Sequence, residues 1–450
     1  MSSDHRSGSF FVFSIPSCFF FIILVLFSLS SFSSSATALV MTSHSQQCLD
    51  LLNLKKGFVL DPLSWPAGTD CCHWEGITCD EASGLVVSLD LSERYISGKI
   101  TASLFNLTSL QRLNLAYNFL VQSTDQLLDL EKLANLTHLN LSNIGVMAAG
   151  QVPMGISRLT KLVSLDLSQA FSDTLKLEKP DLGTLIRDLS NLQELYLDGV
   201  NISSSRMEWC QAISDSAPGL QALSLQYCSL SGPIDSSLSK LRNLSIIHLD
   251  GNNLLSKVPD FFAKFSSLTV LSLSDCGLEG LFPTKVFEFL NLKTLDLSNN
   301  LMLAGYVPEF PLNSSLETLT VSLTNFSERL PNSLGNLKSL TYLSLSSCKF
   351  SGPIPWLIEN LTELYFLDLS FNHLSGHLPP MLAGSKISII SLSYNNFTGN
   401  IPGTLSSARH LVSLDLVGNS LTGSIPMSLF TLPILEELNL ADNKLSGQLQ

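Results

Sequence analysis

The sequence predicts a repeat solenoid wound around one long parallel β-sheet and stapled at its N-terminal end. Three observations carry that prediction. A unit of the form Leu-x-x-Leu-x-Leu-x-x-Asn recurs along the chain, with its second Leu position at Leu89, Leu113, Leu139, Leu165, Leu195, Leu223, Ile247, Leu271, Leu295, Leu319, Leu343, Leu367, Ile390, Leu414 and Leu438, fifteen units mostly 24 residues apart. Within each unit apolar and polar residues alternate, which is the period of a strand with one buried face. Four of the nine cysteines, Cys48, Cys71, Cys72 and Cys79, crowd into one short stretch, as in a stapled cap rather than a disulfide-rich whole.

Composition narrows the function. The 450 residues carry 25 Lys+Arg against 38 Asp+Glu, a net charge of −13, which argues against a nucleic-acid binder that must neutralise phosphates. Only 14% of residues are charged while 45% are hydrophobic, a balance unlike the three ordinary domains that the length alone suggests.

The first element is a leader. After Arg6, an apolar block from Phe10 to Phe32 runs into Ala36-Thr37-Ala38, a small-residue cleavage pattern, so residues 1–38 read as a secretory signal peptide. An uncleaved signal anchor is the competing reading, because the block is long enough to span a bilayer. Nine Asn-x-Ser/Thr acceptors, at Asn106, Asn135, Asn140, Asn201, Asn243, Asn313, Asn325, Asn360 and Asn396, support passage through the secretory pathway as glycosylation sites. Nothing after the leader reaches 18 consecutive apolar residues, so no later anchor is expected.

Residues 39–83 form the expected N-terminal cap, since an exposed first repeat would leave Leu side chains in water. Gln46 to Lys56 has the apolar spacing of a short amphipathic helix ending near Gly57. Trp65 and Trp74 supply apolar area to cover the repeat end. The four cysteines allow three pairings; a zinc site including His73 is the competing reading, which a secreted location disfavours.

Residues 84–450 hold the repeats. In Leu292 to Asn300, Leu295 and Leu297 share one strand face while Thr294, Asp296 and Ser298 share the other. One strand cannot bury its Leu face alone, so neighbouring units must stack in parallel, giving an inner edge of about 65–70 Å. The ninth position of the unit is Asn at 118, 252, 300, 372, 395, 419 and 443, Cys at 228, 276 and 348, and Thr324 once. A small hydrogen-bonding side chain there can satisfy backbone groups where the chain leaves the strand, so Cys228, Cys276 and Cys348 read as ladder members rather than disulfide partners. Arg94, Ile144, Ala170 and Val200 break the ladder early. Between Leu139 and Leu223 the spacing stretches through Phe171–Leu189 and Asn201–Pro218; these insertions are expected as loops that carry binding features. Cys210 lies outside the ladder, either paired with Cys228 or a lone thiol.

No catalytic constellation stands out: phosphate-binding, nucleophile-elbow, metalloprotease and kinase motifs are all missing from the sequence, so no enzyme and no cofactor is expected. His373 and His377 read as solvated residues of a turn. Asp90, Asp166, Asp296, Asp368 and Asp415 form one column of the inner face because the repeat copies a polar residue onto a wet surface. Departures from that pattern mark the candidate ligand-binding surface: Arg112, His138, Tyr196, Tyr227, His248, Tyr342, Phe366, Phe371 and Tyr394, since aromatics and Arg tend to carry interface energy. Asn140 shares the predicted inner strand, where a glycan would block part of that surface.

With Phe350-Ser-Gly-Pro-Ile-Pro355, Phe397-Thr-Gly-Asn-Ile-Pro402 and Leu421-Thr-Gly-Ser-Ile-Pro426 after the ladder residue, the chain resembles the leucine-rich repeat family in its plant extracellular subtype. The resemblance implies an α/β repeat solenoid, a horseshoe or superhelix with a parallel concave β-sheet, a second short strand at Gly-x-Ile-Pro, and a helical or 3₁₀ turn on the convex side. Asp70-Cys71-Cys72-His73-Trp74 through Cys79 resembles the cap of plant receptor-like proteins and polygalacturonase-inhibiting proteins, which implies the pairs Cys48–Cys71 and Cys72–Cys79. The region Cys71–Gly98 is most similar to wilt-resistance receptor-like proteins. Membership there implies a non-enzymatic cell-surface module that binds a peptide, protein or glycan ligand, pathogen-derived or endogenous, and works through a co-receptor kinase. Such proteins continue into further repeats, a C-terminal cap and a membrane helix, so a truncated product or incomplete gene model is expected over a short apoplastic protein. A secreted inhibitor of wall-degrading enzymes and a fragment of a receptor kinase ectodomain are the alternatives.

Overall fold

The computed structural model describes residues 45–120, 129–145, 150–170, 175–203, 208–379 and 386–447; the expected leader, 1–38, lies outside them. Its spine is one 16-stranded sheet. The first strand, Ile77–Cys79, belongs to the cap and pairs antiparallel with Val86–Asp90. From there the strands run parallel and in register to Glu437–Asn439, so that Leu271, Leu295, Leu319 and Leu343 are direct neighbours. Alternation dictates this: Leu295 and Leu297 are fully buried, whereas Thr294 and Asp296 are half-buried on the concave side. A fully buried Leu contributes about 1.5–3 kcal/mol, and each unit brings several that only the adjacent unit can cover.

The chain leaves each strand by the same turn. The residue just before the ladder position is left-handed, as at Tyr227 (φ 52°), Asn299 (φ 58°), Phe371 (φ 54°) and Tyr394 (φ 54°), and the ladder residue then secures the backbone. Asn300, wholly buried, donates from Nδ2 to the carbonyls of Leu273 (2.8 Å) and Leu297 (2.9 Å), and its Oδ1 accepts the backbone N–H of Cys276 (3.1 Å) and Leu278 (2.9 Å) in the preceding unit. Cys228, Cys276 and Cys348 occupy the same rung as free buried thiols, donating to the carbonyls of Leu197, Leu249 and Val321.

Past the ladder, an eight-stranded second sheet runs from Glu279–Leu281 to Lys444–Leu445. Its strands fall earlier than expected: Lys349–Gly352, Asn396–Gly399 and Ser420–Gly423 stop at the Gly instead of spanning Gly-x-Ile-Pro. Proline has no N–H to give a strand ladder, and Ile354 and Ile401 turn inward to the core. Pro355, Pro402 and Pro426 instead start the 3₁₀ turns Trp356–Asn360, Gly403–Ser407 and Met427–Thr431 of the convex side. His373 and His377 lie on a strand of this second sheet, His373–His377, rather than in a turn.

The early insertions are helical where they were expected as loops. Asp181 accepts the Thr184 N–H (2.7 Å) and caps a helix at Leu182–Ile186, and a second helix, Trp209–Ser216, buries Trp209, Cys210 and Ile213. Their apolar residues seat the extra chain on the core in place of a 3₁₀ turn. Cys210 is a free thiol, unpaired with Cys228, and its sulfur accepts the Asp235 N–H (3.3 Å).

The cap is a helix over 45–55 fastened by disulfides Cys48–Cys71 and Cys72–Cys79. With all four sulfurs so engaged, no thiolate among them is left for zinc. Trp65 and Trp74 stack at 5.5 Å, and each indole N–H has an acceptor, the Glu75 carbonyl and Thr69 Oγ1. Gln47 ties the helix to the repeats, accepting the Val86 N–H and donating to Ser109 Oγ.

Candidate functional site

The solvent-facing residue before each central Leu forms a column across the concave sheet, and the residue after it forms a second. In the first column Arg112, His138, Ser164 and Glu194 are consecutive neighbours; in the second Asn114, Asn140, Asp166 and Tyr196 are. Together these groups line a cavity of about 360 Å³, which gathers Arg112, His138 and Tyr196 from the candidate surface. His138 is held below the usual imidazole range by burial and then by the Arg112 guanidinium, with Glu194 opposing. Burial, followed by Glu194 and Asp166, pushes the Tyr196 phenol up.

Farther along the concave face, His248 stands alone, half-buried, its Nδ1 3.8 Å from Asp250 Oδ2. Tyr342 and Phe366 are neighbours in the first column, and their rings stack at 4.3 Å with planes 3° apart. Tyr227, Phe371 and Tyr394 are elsewhere. They hold the left-handed turn position, which breaks the strand alternation and places them on the lateral rim. Phe371 and Tyr394 stack there at 4.4 Å. Tyr227 lies against Gly251 of the next unit and Tyr394 against Gly418, where an added Cβ would meet the ring. The nine candidates therefore divide between a concave surface and an edge.

The aspartate column has a local task. Oδ1 of Asp90, Asp166, Asp296, Asp368 and Asp415 accepts the backbone N–H two residues on, tying down the strand exit. Burial pushes the carboxyls of Asp166 and Asp296 up. These groups are turn acceptors spent on the backbone, and the wetness of the face alone does not account for them. Two contributors to the surface escaped the sequence: Glu194, which looked like an ordinary polar residue, and the exposed apolar rim that Tyr117 and Leu323, left-handed just before their own ladder residues, extend. Aligning the units by turn position would have found the rim.

Among the acceptor asparagines, Asn106, Asn135, Asn243, Asn313 and Asn396 are exposed, while Asn140, Asn201, Asn325 and Asn360 are half-buried. Asn140 Oδ1 accepts both the N–H (2.9 Å) and Oγ–H (2.8 Å) of Ser142, so its side chain is part of the strand exit. Among the described residues no helix is long and apolar enough to cross a membrane.

Cap, double sheet and asparagine ladder together define a leucine-rich repeat protein. Family models agree: a leucine rich repeat N-terminal domain matches 44–80, and leucine rich repeats match 219–241, 339–361, 363–385, 386–408 and 410–432. The chain's homologues are plant receptor-like proteins. It is 36% identical to Receptor-like protein 6 of Arabidopsis thaliana over 286 residues, covering 57% of this chain and 28% of the relative. To Receptor-like protein Cf-9 of Solanum pimpinellifolium it is 31% identical over 262 residues, covering 53% and 29%. The match thus spans under a third of each relative's length. Among solved structures it is similar to the plant peptide hormone receptor RGFR1 in complex with RGF2, with a TM-score of 0.64, 25% identity, and 81% of this chain and 60% of that one covered. It is also similar to the Arabidopsis receptor kinase HAESA ectodomain in complex with an IDA peptide hormone, with a TM-score of 0.58, 26% identity, and coverage of 91% and 83%.

Proposed function

We propose that this chain is the ligand-recognition portion of a plant cell-surface receptor-like protein, a non-enzymatic module that takes an extracellular peptide on its concave face and acts with a partner receptor kinase in defence or developmental signalling. The observation that carries this reading is the clustering of Arg112, His138 and Tyr196 in one concave cavity, with the Tyr342–Phe366 stack farther along the same sheet. The similar ectodomains solved with peptide hormones support a peptide over other ligands. In this reading residues 1–38 are removed on secretion and the exposed sequons carry glycans.

The test is capture from a random library of peptides about 12 residues long, roughly 40 Å when extended. Replacing Tyr196, His248 and Tyr342 together by Ala is expected to weaken capture while leaving secretion intact. Unchanged binding by the folded triple variant refutes the concave assignment.

A further inference from the structure

Building on the reading of the concave face as a recognition surface, we infer that the cavity around His138 selects a dipolar peptide segment, one acidic side chain docking at Arg112 and one basic side chain at Glu194, about four extended residues apart. The register sets that spacing. Arg112, His138, Ser164 and Glu194 occupy equivalent places on four successive strands, so the two charged residues are three strand spacings apart, about 14 Å. An extended peptide lying across the strands advances ~3.3 Å per residue and covers that span in about four.

The charges are available. Lys240, Lys293 and Lys386 are each paired with an acidic residue of another unit, Asp215, Glu317 and Glu363, at 2.6–2.9 Å. Arg112 and Glu194 have no ion-pair partner among the described residues. Arg112 is flanked by Ser88 and His138, and Glu194 by Ser164 and Ala222. The carboxylates of Asp90 and Asp166 keep their charge while accepting from their own strand exits, but both stand in the second column, so Arg112 and Glu194 are the two charged groups of the first. Charges placed this way fix register and partner choice more than raw affinity.

The probe is the same random peptide library, panned against the secreted chain and two single variants, Arg112→Glu and Glu194→Lys. Arg112 is exposed and Glu194 half-buried, and each variant is first checked by circular dichroism and its melting curve. The wild type should enrich peptides with an Asp or Glu three to five residues from a Lys or Arg. Arg112→Glu should shift enrichment to pairs of basic residues and Glu194→Lys to pairs of acidic ones, and a peptide selected on the wild type should lose at least tenfold in affinity for either variant. Enrichment that is unchanged by both variants but lost in Tyr342→Ala overturns the dipolar cavity and leaves concave recognition standing. No enrichment by the wild type overturns the peptide reading itself. A glycan found on Asn140 by mass spectrometry, filling the same cavity, also overturns the proposal.

Discussion

Replacing Asn300 by Ala should destabilise the solenoid far more than its size suggests. The substitution strands the N–H groups of Cys276 and Leu278, and it deprives the carbonyls of Leu273 and Leu297 of a donor. All of this lies where Asn300 itself is fully buried, out of reach of water. A buried donor left unsatisfied costs about 1–3 kcal/mol, so the two N–H groups alone account for about 2–6 kcal/mol. Urea denaturation of the secreted chain, followed by circular dichroism, reads that cost as a lower midpoint. Because a solenoid's units couple only to neighbours, the curve should also broaden or split as the halves on either side of the defect unfold separately. Asn300→Cys should recover part of the loss, since the Cys276 thiol donates to the preceding unit's Leu249 carbonyl from the same rung. A cost for the Ala variant under about 1 kcal/mol, or a Cys variant no better than Ala, would refute the ladder argument.

Cys48→Ala with Cys71→Ala opens a loop of 23 residues' separation and should cost about 3 kcal/mol, seen as a lower melting temperature and reduced secretion yield. Asp296→Asn keeps the acceptor oxygen that Asn114, Asn140 and Asn439 present at the same position. Burial raises the Asp296 carboxyl above the ordinary carboxylate range, so its favourable contribution is present below the unfolded-state value and is lost as pH rises through the raised one. The variant should therefore melt above the wild type at neutral pH, with the gap closing in acid; a gap that widens in acid refutes the assignment. Gly251→Ala combines a left-handed backbone (φ 68°) with a collision against the Tyr227 ring and should cost about 1–3 kcal/mol. Adding Tyr227→Ala should return only the steric part, measured by a double-variant cycle of melting temperatures.

The repeat was legible because the same physical problem is solved fifteen times. Leu295 and Asn300 can be read from one unit, and the other units repeat the answer. The lateral rim was not, because a left-handed residue such as Phe371 or Tyr394 reverses the alternation by which sequence tells inside from outside. The insertions misled for a related reason. Trp209, Cys210 and Ile213 are spaced as a helix, but their segment interrupts the 24-residue period and drew attention to its extra length rather than its own periodicity. The second strand was placed late because proline was counted into a strand that its missing N–H excludes. At the candidate site, Arg112, His138 and Tyr196 stood out as departures from the repeated residue, whereas Glu194 acquires meaning only through the strands lying between it and Arg112.

The Tyr227–Gly251 and Tyr394–Gly418 contacts reach across unit boundaries, so the hereditary module of this protein is not the single repeat. A recombination event that inserts or deletes one unit moves a side chain under the tyrosine where a glycine had been, or leaves the glycine under nothing. A unit whose rim tyrosine covers a glycine can be exchanged without strain only together with the unit that follows. Shuffling among such genes should therefore leave footprints of paired repeats wherever a rim tyrosine covers a glycine of the next unit, as at Tyr227 and Tyr394, and single-repeat footprints where the rim residue is small.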